Sequence, residues 1–173
     1  MSEIDIRAAA PADLAAILAV HRTAFARDDE AALVQRLHDA GRAPVSLVAE
    51  HEGAIVGHVL FSPVTIEHGD DGKALGLAPV AVLPAHQHNG IGHALIEEGI
   101  GACFVAEARA IVVLGAPNYY ARFGFSRASA HGLTHGDSNA FMVLPLTVDG
   151  LGDYRGRVDY AAEFLGLSGA LLA

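Results

Sequence analysis

The spacing of apolar residues changes several times along the chain, and each change predicts an element. Ile4-Asp5-Ile6-Arg7 alternates, as a short half-buried strand does. Past Pro11, a good first helical residue, Leu14, Ile17, Leu18, His21 and Phe25 recur at helical spacing, predicting one buried stripe on a helix that ends near Arg27. A second helix is expected from Asp29 to Ala40, with Leu33, Val34 and Leu37 inward and Gly41 as its stop. Val45 to Glu50 and Ala54 to Ser62 are strand-like runs joined by His51-Glu52-Gly53, which predicts a hairpin. A turn at Gly69-Asp70-Asp71-Gly72 leads into a strand from Ala74 to Val82, and a glycine-bearing loop then opens a helix from Gly92 to about Ala108, with Leu95, Ala102, Cys103 and Ala106 inward.

Ala110-Ile111-Val112-Val113-Leu114 is apolar throughout and reads as a fully buried strand. A short helix around Tyr119 to Arg122 and strands at Gly124 to Arg127 and Ala140 to Leu146 complete the expected core. This order predicts an α/β layered domain with a mixed sheet. One domain of 173 residues is expected, with 147–173 as a C-terminal extension in which Arg157 to Tyr160 is strand-like. The apolar run from Phe164 to Ala173 is expected to pack on the domain or against a second subunit, so a homodimer is one outcome.

Composition narrows the function classes. No apolar run reaches the roughly 18 residues that span a bilayer, and Met1-Ser2-Glu3-Ile4-Asp5 does not open like a secretory signal, so a cytoplasmic protein with no membrane partner is expected. A single cysteine, Cys103, excludes an intramolecular disulfide and a cysteine-only metal cluster. Twenty acidic against eleven basic residues give a net charge of −9, which disfavours nucleic-acid backbone and mildly favours cationic substrates such as amines.

The loop Leu83-Pro84-Ala85-His86-Gln87-His88-Asn89-Gly90-Ile91-Gly92-His93 suits an anion, because glycines let backbone approach a ligand and the first amides of the following helix have no intrahelical acceptors. The dinucleotide fingerprint fails, since Leu95 stands at the third glycine position and the loop comes at mid-chain. The Walker pattern fails as well, because Lys73, before the loop, is the only lysine.

What remains, Gln87-x-x-Gly90-x-Gly92 after Val80-Ala81-Val82-Leu83-Pro84, resembles the acyl-CoA pyrophosphate loop of the GNAT N-acetyltransferase superfamily, Q/R-x-x-G-x-G/A. A second match lies downstream: Asn118-Tyr119-Tyr120-Ala121-Arg122-Phe123-Gly124-Phe125 is similar to that family's Y-x-x-x-G-F signature after its fifth strand. The predicted element order from 4 to 146 is also that of the GNAT fold, a mixed, mostly antiparallel sheet flanked by helices. Gly57-His58-Val59-Leu60-Phe61-Ser62-Pro63-Val64 and Leu114-Gly115-Ala116-Pro117 narrow the resemblance to the YhbS-type bacterial predicted acetyltransferases.

The resemblance implies an N-acetyltransferase that moves an acetyl group from acetyl-CoA to a primary amine of a small molecule or protein in a ternary complex. It implies that the backbone of Gln87, His88, Asn89, Gly90, Ile91, Gly92 and His93 holds the pyrophosphate, where family members commonly carry Arg or Lys among these positions. A backbone amide of Val80, Ala81 or Val82 would bind the oxyanion, and Tyr120 would protonate the leaving thiolate, with Tyr119 as fallback. Asn118 would bond the pantetheine arm or a water, or cap a turn.

The family's usual strand glutamate is missing from Leu77-Ala78-Pro79-Val80-Ala81-Val82. His58 is a candidate base, or else a core histidine; Glu67, His68, His131 and His135 are further candidates without register support. His86-x-His88 and His131-x-x-x-His135 each offer a metal two ligands without a convincing third, so no metal is expected. Cys103 reads as a small core residue, not a nucleophile. The missing glutamate leaves two alternatives open: a non-catalytic acyl-CoA-binding sensor, and transfer of a longer acyl group.

Overall fold

A computed structural model describes residues 3–165. The chain forms two compact units, one built from Met1–Phe61 and Pro79–Ala102, the other from Ser62–Ala78 and Cys103–Ala173. The elements are β1 (Ile4–Ala8), α1 (Leu14–Phe25), α2 (Asp29–Asp39), β2 (Val45–His51), β3 (Ala54–His68), β4 (Ala74–Val82), α3 (Ile91–Val105), β5 (Ala110–Leu114), α4 (Pro117–Tyr120), β6 (Ser126–Arg127), β7 (Leu133–Thr134), β8 (Phe141–Pro145) and β9 (Arg155–Tyr160).

In the first unit β1, β2 and the first half of β3 form an antiparallel ladder, from Ile4↔His51 to Ala8↔Leu47 and from Val45↔Phe61 to His51↔Ala54. Neighbouring strand residues face opposite ways, and Gly57 and His58 show what covers each face. A Cβ at Gly57 would lie 3.0 Å from Leu95 Cδ1 and 3.3 Å from Ile91 Cγ2, so α3 packs on that side. His58 meets His21 of α1 on the other side. Arg7 of β1 ties the start of the first helical segment to the sheet, with Asp13 at 2.8 Å and Glu50 at 2.9 Å. This pairing holds the Asp13 carboxyl down at about 2.

In the second unit the far half of β3 pairs antiparallel with β9, and β4 pairs parallel with β5 over Ala74–Gly76 and Ala110–Val112. β5 and β6 both pair antiparallel with β8, and β7 runs parallel to β9. Val64, Val112, Leu133, Phe141, Val143 and Val158 are among the residues of its core. Arg109 binds Asp71 and lies 4.7 Å from the Tyr154 ring centroid, while the Tyr154 hydroxyl donates to the same carboxylate. The pairings given are mostly antiparallel, the exceptions being β4–β5 and β7–β9, and the expected mixed sheet flanked by helices is the observed architecture.

Several expected boundaries move, each for a local reason. β3 does not stop at Ser62 but runs to His68, because the strand changes partner around Pro63: β2 pairs with it up to Phe61 and β9 from Val64. Proline has no amide to give a ladder, so the changeover is where it fits. α3 ends at Val105, and Ala106, expected inward, is exposed beside Glu107 in the left-handed region at φ 66°. The strand expected from Gly124 shrinks to Ser126–Arg127, since Gly124 at φ 96° closes a 3-10 turn over Ala121–Phe123. β9 begins at Arg155, two residues early, and β7 was not expected. The apolar tail expected to pack on the domain or a second subunit falls mostly on residues 166–173, outside the described residues.

Candidate functional site

The glycine loop is exposed from Gln87 to Gly90. A 3-10 turn at Pro84–His86 leads the chain out of β4, and the Gln87 side chain folds back so that Nε2 donates to the Val82 carbonyl at 2.9 Å. Gln87 therefore shapes the turn. His88 at φ 65° and Gly90 at φ 83° reverse the backbone, and the Ala94 amide donates to the Gly90 carbonyl at 3.0 Å as the first turn of α3. The amides of Ile91, Gly92 and His93 precede that bond and have no acceptor inside the helix. They stand at the positive end of a 15-residue helix.

The two glycines serve different ends. Nothing lies within 4 Å of a Cβ built at Gly90, so its glycine answers the positive φ. Gly92 has no positive φ, and a Cβ there would meet only Val82 Cγ2 at 3.8 Å. The fold therefore leaves Gly92 room for a side chain. Val80 and Val82 are half-buried and Ala81 is buried; Ile91 is buried, and the exposed His93 lies 3.3 Å from Glu97.

Pro117 opens α4, which carries exposed Asn118, half-buried Tyr119 and buried Tyr120, 4% exposed. The Tyr119 and Tyr120 rings meet edge to face at 5.1 Å, and Phe125 meets Tyr120 at 5.8 Å. Burial pushes the Tyr120 phenol up to about 12, with Tyr119 adding in the same direction. It therefore holds its proton at neutral pH and can deliver it. Tyr119 is pushed up by burial as well, but the Arg122 guanidinium, 5.5 Å from its ring centroid, acts against this.

His58 lies within the first unit, against His21 of α1. It is wholly buried, with Nδ1 2.8 Å from His21 Nε2 and Nε2 2.8 Å from Ser46 Oγ. Burial lowers its pKa well below the ordinary histidine range, and His21 lowers it further; His21 itself falls to about 4 by burial. The Nδ1 of His21 is buried without a partner. A bare lone pair is tolerated there better than an orphaned N–H, which makes His21 Nε2 the donor to His58 and His58 Nε2 the donor to Ser46. Both ring nitrogens of His58 are thus engaged. His21 and Ser46 were not anticipated as its partners, because they come from α1 and β2.

The remaining histidines are dispersed. His131 Nε2 lies 3.0 Å from Ser126 Oγ, His135 Nδ1 donates to the Val158 carbonyl at 2.8 Å, and His86 meets the His51 ring at 5.3 Å. Among the described residues no group of three or more His, Cys, Asp or Glu is placed to hold a metal ion. Cys103 is buried and its thiol is pushed up to about 12 by desolvation, far from thiolate chemistry. Among the described residues no helix is long and apolar enough to cross a membrane.

Comparison with known proteins agrees with these features. The acetyltransferase (GNAT) domain family matches residues 5–128. The Escherichia coli (strain K12) protein named uncharacterized N-acetyltransferase YhbS is 37% identical over 163 residues, covering 92% of this chain and 97% of the relative. A crystal structure of E. coli YhbS in complex with CoA superposes with TM-score 0.91 at 35% identity, covering 97% of this chain and 95% of that one. A GNAT family acetyltransferase from Brucella melitensis in complex with acetyl-CoA gives TM-score 0.80 at 38% identity, covering 94% and 98%. With a family match over more than half its length and relatives alike almost end to end, the chain belongs to the GNAT family of acetyltransferases.

Proposed function

We propose that this protein is an N-acetyltransferase that moves an acetyl group from acetyl-CoA to a primary amine of a small molecule or protein, by direct attack in a ternary complex. The observation that carries the reading is the exposed loop before α3, where a glycine-reversed backbone leads into the helix N-terminus beside an open Gly92, in a chain whose relatives bind CoA and acetyl-CoA. In this reading the backbone of Gln87–His93 holds the pyrophosphate, without a Lys or Arg in the loop.

Chemistry follows from the other groups. The neutral amine attacks the thioester carbonyl, forming the C–N bond, and a backbone amide of Val80, Ala81 or Val82 meets the developing oxyanion. The C–S bond then breaks, and Tyr120, a phenol kept protonated by burial, gives its proton to the thiolate. The amine's proton leaves to solvent, and the Tyr120 phenolate takes a proton back from solvent. His58, with both nitrogens engaged, is assigned to holding β2, β3 and α1 together and not to that proton. Asn118 and Tyr119 flank the acid on α4 and are assigned to the acyl-CoA arm. The buried Cys103 favours direct transfer over an acyl-enzyme. The work is placed in the cytoplasm.

One observation favours a second reading. Strand β4 carries no titratable side chain to act as a base, as suits a non-catalytic acyl-CoA sensor. A thiol-release screen with acetyl-CoA across polyamines, amino acids, aminoglycosides and peptide N-termini separates the two. Amine-dependent release supports the enzyme; tight acetyl-CoA binding with no release over the whole panel supports the sensor.

A further inference from the structure

Within the first unit, α1, α2 and the β2–β3 face enclose a cavity of about 200 Å³. Leu14 and Ile17 of α1, Val34 of α2 and Leu60 of β3 make its walls apolar, and Ser46 and His58 stand among them. His38, exposed on the last turn of α2, borders it as well. A cavity of about 150 Å³ already holds benzene, so this one has room for about six to eight non-hydrogen atoms.

The few polar groups decide what fits. The segment from Ala9 to Pro11, which also lines the cavity, has no amide to spare: Ala9 donates to the Ser46 carbonyl at 2.9 Å, Ala10 donates to Asp13 Oδ2 at 2.7 Å, and proline has none. Away from His38, the donor that remains is the Ser46 hydroxyl. Ser46 is half-buried, so it has surface to offer where the sealed His58 has none.

A hydrogen-bonded chain behind Ser46 sets the direction of its O–H. His21 Nε2 donates to His58 Nδ1, and His58 Nε2 donates to Ser46 Oγ, each at 2.8 Å, in the tautomers that leave the buried His21 Nδ1 a bare lone pair. Oγ has no second partner among the described residues, so its own hydrogen is left for the cavity. A hydroxyl that accepts one hydrogen bond donates the next more strongly. One aimed donor among apolar walls selects a compact apolar ligand with one accepting oxygen. A carbonyl suits it better than an alcohol, because it brings no hydrogen of its own for those walls to leave unpaired.

We propose that this cavity is a second ligand site, lined by none of the residues Gln87–His93, that takes a small aliphatic ketone, aldehyde or ester through a hydrogen bond from the Ser46 hydroxyl to the carbonyl oxygen. The proposal does not depend on the acetyl-CoA reading. Cyclohexanone is the probe, titrated into the isotope-labelled full chain without acetyl-CoA and followed by NMR. Saturable shifts are expected at the amides of Ile17, Val34, Ser46 and Leu60. In Ser46→Ala the Kd should rise about 2- to 10-fold, the worth of one neutral hydrogen bond. That variant also takes the acceptor from His58 Nε2, so a second readout uses the wild type alone: the infrared carbonyl stretch of bound cyclohexanone should lie below its position in cyclohexane, as it does for a hydrogen-bonded carbonyl. Absence of saturable shifts at the cavity in the wild type would mean that only water enters it and would overturn the proposal. Equal affinity in a folded Ser46→Ala protein, or a bound carbonyl stretch no lower than in cyclohexane, would overturn it as well.

Discussion

Gly92 carries more of the ligand argument than Gly90, because the fold does not require it. A side chain at Gly92 meets only an ordinary contact with Val82, while Gly90 is held by its positive φ. Gly92→Asp therefore separates folding from binding. A carboxylate in the first turn of α3 favours the helix by about 0.3–1 kcal/mol, yet it stands against an incoming pyrophosphate. The variant should melt no lower than the wild type and lose at least about tenfold in acetyl-CoA affinity; unchanged affinity would remove the loop from the site. Tyr120→Phe makes the complementary cut, since the phenol is assigned to the chemical step. It should bind acetyl-CoA normally while steady-state turnover falls by about 10²-fold or more, and unchanged turnover would pass the acid role to Tyr119. The glycine loop was legible from its spacing and the tyrosine run from its similarity to the family's signature, because both are short local motifs. The partners of His58 could not be read that way: a histidine facing the core on β3 gives no sign that α1 will bring another histidine to it.

The acid sensitivity of the protein belongs to the packing of α1 on β2 and β3. His21 and His58 are neutral in the folded protein, and His21 must fall to about 4 before it charges, against 6.5 when unfolded. Depressed folded values mean that their stabilising effect is complete above pH 6.5 and is lost as pH falls toward 4. His21 alone accounts for about 3 kcal/mol of that loss at about 1.4 kcal/mol per unit. Asp13 and Asp71, held near 2 by Arg7 and by Arg109 with Tyr154, lose their effect only below the ordinary carboxylate range. Urea unfolding midpoints should therefore fall between pH 7 and pH 4.5, before the carboxylates titrate; a flat profile over that range would contradict the buried histidine pair. Periodicity located most elements, including the strand after the α3 helix, and missed where β3 ends. A strand that exchanges one partner for another around Pro63 looks, in sequence, like a strand that stops there.

For the chain as a whole, ligand binding and stability are linked. Anything that binds only the folded protein stabilises it by RT ln(1 + [L]/Kd), about 2.7 kcal/mol at one hundred times Kd. Acetyl-CoA at that excess should raise the thermal midpoint by several degrees, and Gly92→Asp should cancel the rise while leaving the unliganded midpoint in place. The resemblance of two short motifs, in order, to the family's signatures pointed to the family and the donor, since these depend on backbone geometry that glycine and element order encode. They did not name the acceptor, because the surfaces that select an amine are set by packing between distant segments. The account stands first on acetyl-CoA binding. A calorimetric titration of the purified protein with acetyl-CoA should show saturable heat at one site per chain, and a titration with no binding heat at any temperature tried, together with no shift in melting, would contradict it.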